Sequence, residues 1–394
     1  MSVSDKNSMK SIDLFSEEVL ADPYPTYRRL RDTGPAVYLE RIDAWALARD
    51  ASVRAALTDW ETFSSADGIA LTDGVNQALK GMILASDPPE HDRLRAVMNE
   101  RLAPRVLDDF RANVRRQADT MVRALVGRRS FDAVEELAKA FPVAVLLDLI
   151  GLPDDGRDKV LAWADGTFNA FGPDNELFRA SLASQQDKME YLESVVASDR
   201  LTPGSIGRGI YEAADRGEID RASCVNLLAA LVDAGLDTTI NAMSTIALLF
   251  STYPDQWQRL RADRSRIPAA FNEILRLESP VQWFARGVTT DYEMDGVKLP
   301  AGARVLLLFG SANRDERAWS DPDTFDIDRD ASRHLAFGRG VHVCAGQGIA
   351  RLEAHALLAA LAEHVARFET GEPQRRLNNT VRGLTRLPTS IEPA

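Results

Sequence analysis

Residues 334–353 combine a glycine-rich turn with the start of a helical pattern rich in alanine and leucine. Six residues stand at fixed offsets in this turn: Phe337, Gly338, Gly340, His342, Cys344 and Gly346. Glycines let a backbone bend closely against a flat or bulky group because they carry no Cβ. Cys344 comes just before the predicted helix N-terminus, where unpaired N–H groups and the helix dipole favour a thiolate. The stretch therefore predicts either a structural cysteine buried in a turn or a thiolate ligand.

A thiolate held in this way can serve as the axial ligand of haem iron. The pattern Phe-Gly-x-Gly-x-His-x-Cys-x-Gly also resembles the haem-binding loop of the cytochrome P450 superfamily. The resemblance implies haem b as the cofactor, with its iron on Cys344 and with Phe337 and Gly346 beside it. It also implies a mainly α fold with a small β portion, formed as one domain over residues 1–394 with a long central helix over the haem.

Composition and charge limit the kind of protein and its partners. The 394-residue chain has 45% hydrophobic residues and no low-complexity linker or internal repeat, so one large core is expected. Two cysteines, Cys224 and Cys344, indicate no disulfide framework and suit a reducing compartment. Residues 1–18 contain no apolar signal segment, and the apolar runs fall short of the ~20 residues of a membrane span. The net charge of −12 argues against nucleic acid, whose phosphates need a basic face. The sequence thus predicts a cytoplasmic protein that binds neither membranes nor nucleic acid.

His91 and Arg95 are four residues apart behind an Asp-Pro-Pro opening, so a helix places them on one face. Two such groups can bind an anion, although pairs of this kind are also common on solvated surfaces. The superfamily carries His-x-x-x-Arg at the matching place, and the resemblance therefore implies that His91 and Arg95 hold the haem propionates. By the same resemblance, Arg286 and His342 complete the propionate set.

A long helix is predicted to begin near Asp220 and to carry an unusual run of residues at 234–238. An interior glycine beside an aspartate and two threonines is a poor choice for a helix. The Thr238 hydroxyl can donate to the carbonyl four residues back and open the helical ladder locally. Ala-Gly-x-Asp-Thr resembles the oxygen-activation motif of the superfamily. The resemblance implies that Thr238 holds water and dioxygen and that Asp237 relays protons from solvent.

Patterning predicts the remaining elements. Alternating segments at 36–40 and 44–49 predict a strand pair, and the turn-rich residues 63–74 predict a loop. A helical pattern runs over 102–152, and residues 292–308 predict a hairpin that turns at Leu-Pro-Ala-Gly.

Glu273 and Arg276 lie three residues apart on a predicted helix. An exposed pair of this kind would stabilise the folded protein by only ~0.2–1 kcal/mol. The resemblance implies a buried structural pair that is joined by Arg329.

Several local strings, at 168–173, 279–282 and 307–315, resemble bacterial enzymes of the superfamily that demethylate methoxybenzoic acids. Those relatives clamp an aromatic ring between phenylalanines and hold the carboxylate with arginine and serine. The ring-clamping positions are present here as Phe168 and Phe171. Aromatic residues at helical spacing are also common in plain cores, so pocket lining and core packing both remain open.

The carboxylate-binding positions differ from those of the resembling enzymes. On the central helix they are occupied by Ala229, Ala230 and Asp233, and the roof loop around residues 66–67 contains no arginine. A benzoate would lose its counter-charge and could meet Asp233, a like charge. We therefore expect a neutral methoxyphenol of the guaiacol or 4-alkylguaiacol type. Asp233 either accepts a hydrogen bond from the phenol or faces solvent or a neighbouring helix.

Two alanines complete the predicted substrate pocket. Ala234 follows Asp233 on the central helix, and Ala285 stands where the benzoate-demethylating relatives carry phenylalanine. The smaller side chain at Ala285 is expected to leave room for an alkyl group on the ring.

These features together predict a haem-thiolate monooxygenase that uses dioxygen and two electrons. The electrons are expected from an iron–sulfur ferredoxin or a ferredoxin-type reductase, and the substrate is expected to be a small aromatic molecule. Two other classes are a haem protein that does not oxygenate and a peroxide-driven enzyme. The Asp237–Thr238 pair favours dioxygen activation, because neither alternative needs a proton relay. Among monooxygenases, a methoxybenzoate demethylase and a hydroxylase of another small apolar molecule are the alternatives.

Overall fold

The computed structural model describes residues 12–156 and 158–394, and helices make up most of this part of the chain. The helices are α1 (Glu17–Ala21), α2 (Tyr24–Thr33), α3 (Asp50–Thr58), α4 (Asp73–Ala78), α5 (Glu90–Arg101), α6 (Pro104–Arg128), α7 (Ala140–Ile150), α8 (Val160–Ala170), α9 (Glu176–Ala197), α10 (Ile206–Asp215), α11 (Arg221–Ser244), α12 (Ile246–Thr252), α13 (Pro254–Ala262), α14 (Ile267–Leu277), α15 (Phe309–Ala312) and α16 (Gln347–His364). The strands are β1 (Val37–Leu39), β2 (Ala44–Leu47), β3 (Phe63–Ser64), β4 (Ser130–Asp132), β5 (Trp283–Val288), β6 (Tyr292–Met294), β7 (Val297–Leu299), β8 (Arg304–Leu308), β9 (Val365–Thr370), β10 (Gln374–Arg375), β11 (Leu384–Arg386) and β12 (Pro388–Pro393). The mainly α fold with a small β portion is thus confirmed.

Helix α11 is the long central helix that the sequence predicts, and Asp220 is its N-cap residue. It packs against α7, α8, α9 and α10, so most of its residues are buried. By length and composition alone, the stretch 221–252 could cross a membrane, which the short apolar runs of the sequence did not suggest. Of its apolar window, 61% is buried inside the protein. The central helix of a water-soluble core passes the same test.

Two hydrophobic clusters meet at this helix. The larger cluster joins α6, α7, α10, α11, α14 and α16. The smaller one forms under the five-stranded sheet of order β1-β2-β8-β5-β3, and it includes Phe168 and Phe171 from the end of α8. Residues of both clusters line the cavity described below, which therefore lies where helical core and sheet core meet.

The predicted strand pair is confirmed, with Val37 opposite Ala46 in antiparallel register. The predicted hairpin at 292–308 is shorter than expected. Only β6 and β7 form it, through a tight turn in which Asp295 and Gly296 both have positive φ. Strand β8 instead lies between β2 and β5 in the larger sheet. The proline-marked turn before β8 is thus a connection between two sheets.

The predicted continuous helix over 102–152 was wrong. The chain leaves α6 at Arg129, which has a φ of 62°, and forms β4 before a π-helical turn, Val134–Lys139, leads into α7. Strand β4 pairs with β12 at the far end of the chain, so nothing local in the sequence indicates it. The predicted stop at Gly151 is confirmed, with a φ of 81°. The predicted loop at 63–74 likewise includes the short strand β3 and the first residues of α4.

Glu273 and Arg276 form the buried pair that the resemblance implies. Both side chains are fully buried, and the Arg276 guanidinium makes two bonds to the carboxylate, at 2.7 and 2.8 Å. Arg329 adds a third contact to Glu273 at 3.2 Å. Arg276 also donates to the carbonyls of Asn313 and Pro322, so the cluster joins α14 to the meandering chain before the glycine-rich turn. Its role is structural.

Candidate active site

A cavity of about 520 Å³ lies between α11 and the glycine-rich turn at 337–346. Cys344 from the turn and Thr238 from α11 both line it, together with side chains of β5, α8 and α9. The lining is mostly apolar, and the polar groups that line it are described below with the elements that carry them. The sequence motifs that are far apart along the chain therefore meet at one cavity.

Cys344 lies three residues before the first residue of helix α16. Its sulfur accepts hydrogen bonds from the backbone amides of Gly346 and Gln347, and its own amide donates to the carbonyl of Phe337 at 2.8 Å. Burial raises the pKa of the Cys344 thiol, whereas the two amides and the nearby guanidinium of Arg95 act in the opposite direction. A cation that bonds to the sulfur would compensate for the burial. The sulfur is thus oriented and polarised as a ligand.

Two glycines give the turn its shape. Gly338 and Gly340 have φ values of 68° and 72°, a region that residues with a Cβ rarely adopt. A Cβ on Gly340 would also lie 2.2 Å from the carbonyl oxygen of Leu57. Phe337 lines the cavity, and the Arg351 guanidinium lies 5.0 Å from the centroid of its ring. Gly346, the residue before α16, also lines the cavity.

The four side chains predicted to hold an anion all line this cavity. His91 and Arg95 come from α5, Arg286 from β5 and His342 from the turn. The two imidazole rings lie with centroids 4.4 Å apart, and the Nε2 atom of each is buried without a hydrogen-bond partner. Burial, with the added charge of Arg286, lowers the pKa of His342 to about 2. Burial also lowers the pKa of Arg286 to about 10.

This donor set lacks the anions that it needs. Arg286 donates to the carbonyl of Ala285 at 2.7 Å, and Arg95 donates to the carbonyl of Val343 at 2.6 Å. Neither guanidinium forms an ion pair with a carboxylate in the described part of the chain. Buried cations without counter-charges are unfavourable. The set therefore fits a cofactor that brings two carboxylates, and Cys344 supplies a sulfur for its metal, so the residues present fit haem.

The oxygen-activation run lies on an uninterrupted stretch of α11. The Thr238 hydroxyl donates to the carbonyl of Ala234 at 2.7 Å, as predicted, but the helix continues through the run without opening. Ala234, Gly235 and Thr238 line the cavity. A Cβ on Gly235 would lie 2.6 Å from Leu146 Cδ2, so the glycine also allows α7 to pack closely. The unusual composition of this run thus has a packing cause as well as a place at the site.

Asp237 is buried, and it does not line the cavity. One carboxylate oxygen forms an ion pair with Arg376 of the C-terminal region, and Arg376 also pairs with Asp165 of α8. The other oxygen, Oδ2, is buried without a partner. Burial raises the pKa of Asp237, and the Arg376 charge opposes that rise. No local sequence pattern points to Arg376, because it lies 139 residues further along the chain than Asp237.

Four phenylalanine rings form one edge-to-face chain at the cavity. Phe168 and Phe171 lie 5.9 Å apart between centroids, Phe171 and Phe284 lie 5.7 Å apart, and Phe284 and Phe309 lie 6.0 Å apart. All four line the cavity. Edge-to-face pairs at these distances are a favourable arrangement for holding a further aromatic ring.

The prediction that Ala285 lines the substrate pocket and leaves room for an alkyl group was wrong. Ala285 is fully buried and does not line the cavity, whereas its neighbours Phe284 and Arg286 do. Successive residues of a strand point to opposite faces, so the two neighbours on β5 face the cavity and Ala285 faces away. Room for an alkyl group cannot come from this alanine.

Asp233 lines the cavity, and it is paired with a residue that the sequence analysis did not single out. Lys188 of α9 contacts its Oδ2 at 2.6 Å, and both side chains are buried. Burial raises the pKa of Asp233, and the ammonium opposes the rise. Of the other predicted positions on this helix, Ala229 and Ala230 also line the cavity. A lysine on a polar helical segment carries no sequence signal that separates it from surface charge.

Comparisons with known proteins identify the family. The cytochrome P450 family model matches residues 179–392. Cytochrome P450 CYP199A2 of Rhodopseudomonas palustris is 42% identical over 388 residues, which cover 97% of this chain and 94% of that protein. The chain belongs to the cytochrome P450 family.

Other relatives also match over nearly the whole of this chain. The beta-dihydromenaquinone-9 omega-hydroxylase of Mycobacterium tuberculosis is 31% identical over 401 residues, covering 98% of this chain and 79% of that protein. The structure of cytochrome P450 CYP268A2 of Mycobacterium marinum, in complex with pseudoionone, aligns with a TM-score of 0.87 at 27% identity. That alignment covers 96% of this chain and 98% of the other.

P450 enzymes are monooxygenases that bind haem through a cysteine thiolate and draw on dioxygen and redox partners. The predicted family, enzyme class and cofactor are therefore confirmed. The individual roles of the site residues stay predictions.

Proposed function

We propose that this bacterial P450 removes the methyl group of a small neutral methoxyphenol of the guaiacol or 4-alkylguaiacol type. In each turnover, one dioxygen, two electrons and two protons are consumed. One oxygen atom is inserted into a C–H bond of the methyl group, and the other leaves as water. The hydroxylated methyl group then leaves as formaldehyde when its bond to the methoxy oxygen breaks, and that oxygen remains on the ring as a second hydroxyl.

One observation carries the choice of a neutral substrate. The charge beside the phenylalanine rings is already balanced, because Lys188 and Asp233 are paired at 2.6 Å. A benzoate entering there would bury a carboxylate with no free cation. Burying the unpaired carboxylate costs several kcal/mol in real proteins. A neutral phenol has no such cost, and its hydroxyl can donate to the unpartnered Oδ1 of Asp233.

The ring arrangement supports a substrate of aromatic character. Phe168, Phe171, Phe284 and Phe309 line the cavity and already contact one another edge to face. A benzene ring placed among them extends the same contacts, each worth ~0.5–1.5 kcal/mol beyond burial. An aliphatic substrate of similar size would fill the cavity without this gain.

Haem, when bound, supplies the iron at which dioxygen is activated. In our proposal Cys344 is the ligand to that iron, and His91, Arg95, Arg286 and His342 hold the two propionates. The buried, unpartnered Nε2 atoms of His91 and His342 and the buried Arg286 guanidinium, which has no ion pair with a described carboxylate, support this assignment. Phe337 would pack beside the bound haem, and Gly346 carries no Cβ next to the sulfur, where one would lie 4.0 Å from Cys344 Sγ.

Protons are proposed to reach the site through Asp237 and Thr238. The free Oδ2 of Asp237 can take a proton, and the Arg376 side chain that pairs with Asp237 is held in turn by Asp165, a partly exposed residue in the middle of α8. Thr238 presents its hydroxyl oxygen at the cavity while it donates to Ala234. That oxygen can accept a hydrogen bond from water and so keep a proton donor in place.

We further propose that the whole chain, residues 1–394, is one monooxygenase domain that works in the cytoplasm with an iron–sulfur ferredoxin or a ferredoxin-type reductase. The relatives match over nearly the whole chain, which supports the single domain. The two cysteines, which lie apart as free thiols, suit a reducing compartment.

Spectral titration of the ferric holoenzyme tests the substrate class. Guaiacol, a 4-alkylguaiacol and 4-methoxybenzoate are compared by the Soret shift that accompanies displacement of water from the iron. We expect the dissociation constant of the benzoate to exceed that of guaiacol by about tenfold to a hundredfold. Formaldehyde released per NADH consumed, with redox partners supplied, then tests demethylation. Tight benzoate binding, or turnover of guaiacol without formaldehyde, would overturn the proposal.

A further inference from the structure

A buried ion pair joins three helices at the wall of the cavity. Lys188 of α9 and Asp233 of α11 contact at 2.6 Å, with only 4% and 9% of their side chains exposed. Thr167 of α8 and Gln185 of α9 complete the cluster, and all four residues line the cavity. Thr167 is the direct neighbour of Phe168 on α8, and both residues line the cavity.

The ammonium of Lys188 has no donor left for a ligand. It carries three N–H groups, and three acceptors surround it. These are Asp233 Oδ2 at 2.6 Å, Gln185 Oε1 at 2.7 Å and Thr167 Oγ1 at 2.8 Å. The acceptors Thr167 and Gln185 are themselves joined at 2.7 Å, so the arrangement is closed. The Lys188 cation lines the cavity beside Thr167 and Gln185, but its N–H groups are fully engaged by the protein.

Asp233, by contrast, keeps one acceptor without a partner. Its Oδ1 is buried and has no hydrogen bond from any described residue. A buried acceptor of this kind is unfavourable unless a ligand or water donates to it. The Lys188–Asp233 cluster therefore presents a free acceptor to a bound ligand and no free donor.

We propose that Asp233 and Lys188 together form a charge filter that sets substrate specificity: Asp233 accepts a hydrogen bond from a neutral hydroxyl and keeps Lys188 from binding a carboxylate. This inference deepens the proposed function and rests on the same cavity being the substrate site. It has a consequence that Asp233 alone would not have. Removing the negative charge of Asp233 leaves the Lys188 ammonium without a counter-charge inside the cavity, and the enzyme then becomes a binder of anionic aromatic compounds.

The test compares ligands that differ only in this group. The pair 4-ethylphenol and 4-ethylbenzoate has no methoxy group, so it reports on the filter even if methoxyphenols are not the substrates. Dissociation constants are measured on the ferric holoenzyme by Soret shift and, independently, by calorimetry. For Asp233→Asn we expect the phenol to bind about tenfold more weakly and the benzoate about tenfold more tightly.

A double variant tells whether tighter benzoate binding in Asp233→Asn comes from attraction to Lys188 or only from loss of the repulsion by Asp233. In Lys188→Met/Asp233→Asn both charges are gone, so the benzoate should bind about as weakly as in the wild type. If the benzoate gains equally in the single and the double variant, Lys188 is not the anion ligand and the proposal is wrong. An unchanged phenol-to-benzoate ratio in Asp233→Asn also overturns it.

Folding is checked by the ferrous carbon-monoxide spectrum of each variant. If Asp233→Asn does not give folded holoenzyme, Asp233→Ser removes the same carboxylate with a smaller side chain. It must then show the same weaker binding of the phenol and tighter binding of the benzoate. Failure of the proposed function is recognised separately. In that case the wild type releases no formaldehyde from guaiacol, whereas the 4-ethylphenol and 4-ethylbenzoate ratios still respond to the Asp233 variants as described.

Discussion

The two cysteines of this chain have different surroundings. The Cys344 sulfur accepts hydrogen bonds from two amides at the start of α16 and faces the cavity. Cys224 is fully buried near the carbonyl of Ile210, and burial raises the pKa of its thiol to about 11. Only the first environment suits a thiolate that bonds to a metal.

Replacing each cysteine in turn tests this difference. Cys344→Ser should abolish the long-wavelength absorption of the ferrous carbon-monoxide complex that is typical of P450 enzymes, because a hydroxyl is a far weaker donor to iron than a thiolate. Cys224→Ser is the matched control and should leave that absorption unchanged. The measurement is the difference spectrum of the reduced protein. An unaltered spectrum for Cys344→Ser would remove Cys344 as the ligand.

Thr238 combines a position at the cavity with a hydroxyl that is fixed by Ala234. Thr238→Ala should leave substrate affinity within about threefold, because the methyl of Thr238 contributes little to binding, yet it should raise the ratio of peroxide to product. Loss of the hydroxyl removes the oxygen that positions a proton-donating water. Peroxide, product and NADH are quantified in one reaction, and Thr238→Ser should restore most of the coupling. Equal coupling in Thr238→Ala and the wild type would assign the role to another residue.

The glycine-rich turn shows how one element depends on backbone geometry. Gly340 has a φ of 72°, and a Cβ there would meet the backbone oxygen of Leu57 at 2.2 Å. Gly204 has a φ of 77°, but a Cβ there would meet nothing within 4 Å. The two positions therefore separate the cost of the left-handed conformation from the cost of a clash with backbone.

Alanine substitutions should differ accordingly. Gly204→Ala should lower the free energy of unfolding by about 1–2 kcal/mol, the cost of a left-handed residue that carries a Cβ. Gly340→Ala should cost about 1–3 kcal/mol more, since backbone must shift to relieve the overlap. It should also weaken haem retention, because the turn carries Cys344. Thermal unfolding and haem content measure both effects. Equal destabilisation by the two variants would contradict the predicted clash.

Elements with strong local signals were predicted well. The central helix, which begins after Asp220, and the strand pair at 37–47 follow from hydrophobic periodicity, which acts over a few residues. The break in the helix over 102–152 was missed, since β4 exists only through its pairing with β12. A three-residue strand that depends on a partner about 250 residues away leaves no local pattern.

The site residues likewise fall into those that a local sequence motif predicts and those that it does not. Cys344, His91 and Thr238 stand in motifs whose spacing is visible in the chain. Lys188 and Arg376 belong to the site only because they pair with carboxylates on α11. These carboxylates, Asp233 and Asp237, lie 45 and 139 residues away along the chain. Lys188 and Arg376 both lie among ordinary charged residues, and only folding places them against Asp233 and Asp237.

At the scale of the whole molecule, charge is unevenly distributed. The chain carries a net charge of −12, yet three arginines lie in or beside the segment that holds Cys344. Arg333 and Arg339 are exposed, whereas Arg351 is half-buried, donates to Asn272 at 2.7 Å and packs on Phe337. Arg333 is itself held over the Trp319 ring, with its guanidinium 4.6 Å from the ring centroid. Of the three, Arg339 is thus best placed to attract an acidic partner.

Electron delivery should therefore depend on salt. If an acidic iron–sulfur protein docks near the turn, raising the ionic strength from about 0.01 to 0.15 M shortens the Debye length from about 30 to 8 Å and should slow association. We expect the rate of reduction at limiting partner to fall by about threefold to tenfold, with little change at saturating partner. Arg339→Gln should lower the low-salt rate and flatten the salt dependence. Arg179→Gln, which removes an exposed charge on α9, is the matched control and should change neither. Stopped-flow reduction of the carbon-monoxide-trapped haem measures the rate directly. A rate that stays flat across this range, or an Arg179→Gln effect as large as that of Arg339→Gln, would show that the arginines beside the turn do not steer the partner.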